Sequence, residues 1–148
     1  MNASYDSFFS SHLELIYNAV GNVQGWSYLV ERLASDLDFK SGLISIDRID
    51  TKPGSTRLAG VKHRLSKNIS DEWNQEVISH IHKVDIWTEA LNQQPTGKFY
   101  TAQALVPEEQ YKNTEFGEFT LKNDIGDVAA AVLLMTNDAS IRIALHHS

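Results

Sequence analysis

The sequence contains no cysteine. Disulfide staples, thiol nucleophiles and zinc–thiolate sites are therefore excluded, and the absence fits a cytoplasmic setting. It also lacks any apolar run near the roughly 20 residues that span a bilayer. Its first residues, Met1-Asn-Ala-Ser-Tyr-Asp6, show no basic segment leading into an apolar one, so neither a membrane anchor nor a secretory signal is expected. Positive charge is scarce: 13 Lys and Arg stand against 19 Asp and Glu, for a net charge of -6. Such a chain is a poor partner for phosphate backbones, and its one short basic cluster, Lys62-His63-Arg64 with Lys67, reads as an exposed strand end. No direct binding of nucleic acid is expected. Missing too are a Ser-His-Asp spacing, a glycine-rich phosphate loop and a Gly-x-Ser-x-Gly elbow, and the expectation is that this is not an enzyme. The histidines do not converge. His80 and His82 are two apart on a helix and His146 and His147 adjoin on a strand, so each pair diverges and no metal or cofactor is expected. What remains is 148 residues, 42% hydrophobic and 22% charged, the composition of one ordinary domain able to bury a core.

The stretch from Ser70 to Trp87 holds two of the three tryptophans. Ser70 suits a helix N-cap, and Asp71 and Glu72 fall in the first turn, where the helix dipole favours negative charge. Trp73, Val77, Ile81 and Val84 recur at helical spacing. The helix gives way near Lys83, and Asp85-Ile86-Trp87 opens a new element. A buried indole donor, an acid and a second indole would then share one short helix–turn–helix span.

The rest falls into grouped elements. Phe9, Leu13, Ile16 and Val20 form an amphipathic helix stopped by Gly21, and Trp26 to Leu37 form a second. The short link from Gly21 to Gly25 would make them a hairpin. Gly42–Ile49 reads as a strand. After a turn at Pro53-Gly54, Arg57–Leu65 reads as another, with Ala59, Val61, His63 and Leu65 on one face. A short helix is expected near 86–92, broken by Pro95 and Gly97. A short strand near 98–102 follows, then a turn at Pro107 and a helix over 114–122 with Phe116, Phe119 and Leu121 as its apolar residues. Val128–Met135 is continuously apolar, a strand buried on both faces, and the alternation from Ser140 to His147 predicts a half-buried one. Strands that are grouped rather than alternating with single helices predict a mostly antiparallel sheet of four or five strands covered by helices, an α+β fold.

Several of these stretches carry a resemblance. Leu15-Ile-Tyr-Asn-Ala19, Gly25-Trp26-Ser-Tyr-Leu29 and Leu33-Ala34 resemble the opening helices of the N-terminal sensory domain of LuxR-type transcriptional regulators. Asp85-Ile86-Trp87 is similar to that family's Asp-Pro-Trp step. Glu115-Phe116-Gly-Glu-Phe119 with Asn123-Asp-Ile-Gly126 resembles its last short helix and the approach to the final strands. The resemblance implies a PAS/GAF-like α/β/α sandwich, a pocket between sheet and helices, a small-molecule ligand and a role in transcription regulation. It implies as well a C-terminal helix-turn-helix, which residues 1–148 do not contain; they read as a single sensory domain. In the quorum-sensing branch a Trp, a Tyr one turn later and an Asp nine residues after that hold an acyl-homoserine lactone. Trp73 matches the first, Val77 stands where the Tyr would be, and Asp85 comes eight residues after it. The ligand's identity is thus left open.

The residues proposed to line a ligand site are Trp73, Val77, Asp85, Trp87, Phe99, Tyr100, Tyr111 and Phe116. Each has a plainer reading: Trp73 as core, Asp85 as the N-cap of the following helix, the other aromatics as core packing. Competing with a sensor are a small α+β enzyme and a module that only dimerises; a sensor of this kind is itself expected to form a weak two-fold homodimer through the first helix near Phe8 and Phe9. A cavity of about 300 Å³ or more beside Trp73 and Asp85 distinguishes a sensor from a dimerisation module.

Overall fold

The computed structural model describes residues 23–148. The helix expected at Phe9–Val20 and the dimer contact at Phe8 and Phe9 lie outside them.

Helix α1 (Val23–Asp36) leads into strands β1 (Ser41–Ile49) and β2 (Leu58–Lys67). Next come α2 (Asp71–Ser79), a 3-10 turn (Ile81–Lys83), α3 (Ile86–Leu91), β3 (Tyr100–Thr101) and α4 (Ala102–Leu105). A second 3-10 turn (Glu108–Gln110), α5 (Glu115–Lys122), β4 (Asp127–Met135) and β5 (Ala139–His147) complete the order. The five strands form one sheet in the order β2-β1-β5-β4-β3, with every pair antiparallel. Helix α1 lies on one face and the shorter helices on the other. The chain is α+β in three layers, consistent with the expected PAS/GAF-like sandwich.

The α1 face is the drier one. Leu29, Val30, Leu33 and Ala34 make one stripe at helical spacing and pack on Ile44, Ala131, Ile143 and Leu145 of the sheet. Gly42 permits the close approach, since a Cβ there would lie 2.9 Å from the Leu145 side chain and 3.1 Å from that of Val30. The helix begins at Val23, so Gly25 sits inside it and not in a hairpin link.

Four details depart from the sequence reading. The alternation of β2 does not hold, because a register shift moves Val61 opposite Asp47 while His63 and Leu65 stay opposite Ile46 and Ile44 on the other face. The helix at 71 ends at Ser79, and the chain to Lys83 tightens into the 3-10 turn. Leu121 is 78% exposed, because only Phe116, Phe119 and Thr120 of α5 share the inward face with Gly117. The largest departure is β5. It has a neighbour on each side and a helical layer over each face, so Ser140, Arg142 and His146 are buried along with Ile143 and Leu145. The polar half of its alternation faces the protein interior. The reverse holds at the end of β4, where Leu133 and Leu134 are exposed beyond the short β3.

Candidate ligand cavity

Between the sheet and helices α2 to α5 lies a cavity. Its helical side is built by local sequence rules. Ser70 caps α2, its hydroxyl accepting from Trp73 N at 3.1 Å, and the cap fixes the phase that turns Trp73 and Val77 inward. Asp85 caps α3: one carboxylate oxygen accepts from Thr88 N at 3.0 Å and the other from the buried Thr88 Oγ1 at 2.6 Å. The plainer reading of Asp85 therefore applies, although the same side chain also borders the cavity. Trp87 packs edge-on against Phe116 and Tyr111, with centroids 5.0 and 5.2 Å away. Its indole Nε1 is buried and has no hydrogen-bond partner, a condition rare enough in folded proteins to need a cause.

The sheet side is polar and was not legible in advance. Arg142 on β5, 7% exposed, donates from Nε to Asp47 Oδ2 at 3.3 Å, and Asp47 Oδ1 accepts from Ser45 Oγ at 2.6 Å. Arg64 on β2 donates from Nε to Asn74 Oδ1 at 2.9 Å. Burial, then the like charge of Arg142, lowers its pKa to about 10, with Asp47 and Asp85 acting in the opposite sense. His146 shares a hydrogen bond with Ser41 Oγ at 3.1 Å, and its ring lies 5.2 Å from that of Trp73. Burial, reinforced by Arg142, Arg64 and Lys40, holds its pKa down to about 3, so the imidazole is neutral near pH 7 and a weak base.

Six of the eight residues proposed from the sequence line this cavity: Trp73, Val77, Asp85, Trp87, Tyr100 and Phe116. Tyr111 stands behind Trp87 as core. Phe99 is a correction. It is 49% exposed, because Tyr100 pairs with Ala130 on the cavity face and its neighbour must face the other way. Arg64, Arg142 and His146 were missed. For Arg142 and His146 the signal was the polar alternation of a strand that a three-layer fold buries, usable only once helices are placed on both faces; Arg64, on β2, had no such signal. Two other histidines have plain roles: His82 is buried with Nδ1 2.7 Å from the Val77 carbonyl, and His80 pairs with Glu115 at 2.5 Å on the surface. Among the described residues no group of three or more His, Asp or Glu stands close enough to hold a metal.

The cavity is small. The space open to the centres of water-sized molecules is about 60 Å³, room for roughly four or five such groups. That is below the scale of about 300 Å³ set for a drug-sized site.

No family model matches this chain, and no curated protein matches it. The layered fold is shared with a ligand-binding domain of known structure. That structure is the VqsR LBD domain from Pseudomonas aeruginosa, which aligns over 98% of this chain and 80% of its own with a TM-score of 0.62 at 12% identity. At that identity the likeness establishes the common fold. No helix among the described residues is long and apolar enough to cross a membrane.

Proposed function

We propose that this chain is the small-molecule-sensing domain of a cytoplasmic LuxR-type transcriptional regulator. The observation that carries the reading is the cavity bounded by Trp73, Asp85 and Trp87, whose buried Nε1 has no hydrogen-bond partner; its volume falls below the roughly 300 Å³ set above, so only a compact ligand fits it. A buried donor without an acceptor is what an interior leaves when the acceptor belongs to a ligand. The motifs resembling the LuxR sensory domain and the fold shared with the VqsR LBD domain support the same reading. On this reading residues 1–148 are the sensory unit, a ligand enters by moving the short helices off the sheet, and that shift is passed to a helix-turn-helix outside these residues. Duplex DNA would be bound by that segment and not by this acidic one, and pairing of two copies would match paired half-sites.

A thermal-shift screen against small apolar compounds with one polar end tests it. A binder is expected to raise the melting temperature. Trp73→Phe, which keeps a ring and removes the N–H, and Asp85→Asn are each expected to weaken a binder that contacts them by about tenfold or more. A binder indifferent to both substitutions would place the site elsewhere.

A further inference from the structure

The cavity wall is unbalanced in its hydrogen bonding. The carboxylate on it, Asp85, is already engaged, both oxygens accepting from Thr88, and Asp47, outside the lining, accepts from Ser45 and Arg142. Arg142 and Arg64 each donate from Nε, to Asp47 and Asn74, and both guanidinium groups line the cavity. Trp87 Nε1 has no partner at all. Among the described lining residues two guanidiniums, Arg64 and Arg142, stand against one carboxylate, Asp85.

Arg142 is buried and Arg64 half-buried, and guanidinium N–H groups that face so small a cavity have little water to donate to. Two guanidiniums close enough to disfavour each other's charge are relieved by a negative group between them. His146, held neutral, supplies no such charge. A carboxylate does, and its two oxygens match the fork of an arginine edge. The same cavity is also lined by the apolar side chains of Val77, Leu105 and Phe116.

We propose that the ligand of this cavity is a compact monocarboxylate with an apolar body, its carboxylate received by Arg64 and Arg142 and its body packed against Val77, Leu105 and Phe116. The small volume sets the compactness. Trp87 Nε1 is available to an oxygen substituent on that body. The inference rests on the sensory reading above and adds the chemical class of what is sensed.

The test compares acids with amides of the same shape. The 148-residue chain is titrated at pH 7 with benzoate and isovalerate, and with benzamide and isovaleramide, following the indole signals of Trp73 and Trp87 by NMR. Each acid is expected to bind about tenfold or more tighter than its amide. Arg64→Gln, which removes the charge from a half-buried residue that holds no buried carboxylate, is expected to bring the pairs close to parity. Amides that bind as tightly as the acids would overturn the proposal and leave the sensory reading standing. So would failure of all four probes while neutral compounds from the broader screen bind. If no compound of either set binds, both readings fall. The acid–amide comparison on the unmodified chain decides the matter even if the variant does not fold.

Discussion

His146 makes stability depend on acid in a calculable way. In the unfolded chain its imidazole titrates near 6.5, while in the folded protein burial and the cations around it hold the value down to about 3. Because the folded value is depressed, the unfolded chain takes up a proton that the folded protein refuses. The contribution to stability is fully present above pH 6.5 and is lost progressively as pH falls toward 3. At pH 5 the unfolded state gains RT ln(1 + 10^(6.5 − 5)), about 2 kcal/mol. Since pH 5 lies well above the folded value, the folded imidazole is still neutral there and the unfolded pKa alone sets the loss. Urea unfolding of the wild type and of His146→Gln at pH 8 and pH 5 measures it. Glutamine keeps a polar group for Ser41 and cannot titrate, so acids common to both proteins cancel in the comparison. The wild type should lose about 2 kcal/mol more than the variant between the two pH values. Equal losses would refute the reasoning. So would a titration of the His146 ring protons in the folded wild type with a midpoint near pH 6, a measurement that does not need the variant.

Two further substitutions test how the cavity walls are held. Asp85→Ala should lower stability by about 2 kcal/mol, because it removes the cap on Thr88 N and leaves the buried Thr88 hydroxyl without its acceptor. Asp85→Asn should stay near wild type by thermal unfolding, and equal effects of the two would mean that the side chain is not acting as a cap. Asp47→Ala leaves Arg142 buried without its carboxylate and should cost about 3–5 kcal/mol in urea unfolding, whereas Asp47→Leu combined with Arg142→Met should be less damaging than Asp47→Ala alone.

The helical half of the cavity could be read from the chain because its determinants are local. Ser70 and Asp85 each announce a helix start by chemistry that acts within three residues, and those caps fix which way Trp73, Val77 and Trp87 turn. The sheet half could not, because its determinants are long-range. Nothing near Arg142 says that Asp47 will be its partner across 95 residues, or that the face it shares with Ser140, Ala144 and His146 will be roofed over. A strand with alternating polarity has the same signature whether the polar face meets water or an internal cavity. The two register shifts in β2, one at Lys62 and one at Ala59 beside Gly60, were equally invisible, since they are defined only by pairing with β1. Phe99 and Tyr100 were both expected at the cavity, but adjacent residues of an extended segment face opposite ways, and only Tyr100 lines it.

The central position of β5 bears on how the sheet assembles. With the order β2-β1-β5-β4-β3, the β1–β2 hairpin and the β3–β4 pair share no hydrogen bonds with each other, and the strand that joins them is the last in the chain. Until β5 enters, β1 and β4 each present an open edge, with Ile44 and Ala131 on one face lacking the Ile143 that bridges them. Completing the sheet requires Ser41 to meet His146 across 105 residues, a long loop to close before its contacts are gained. Folding of this domain is therefore a late, non-local event, and the interval before it is when unpaired strand edges are open to other chains.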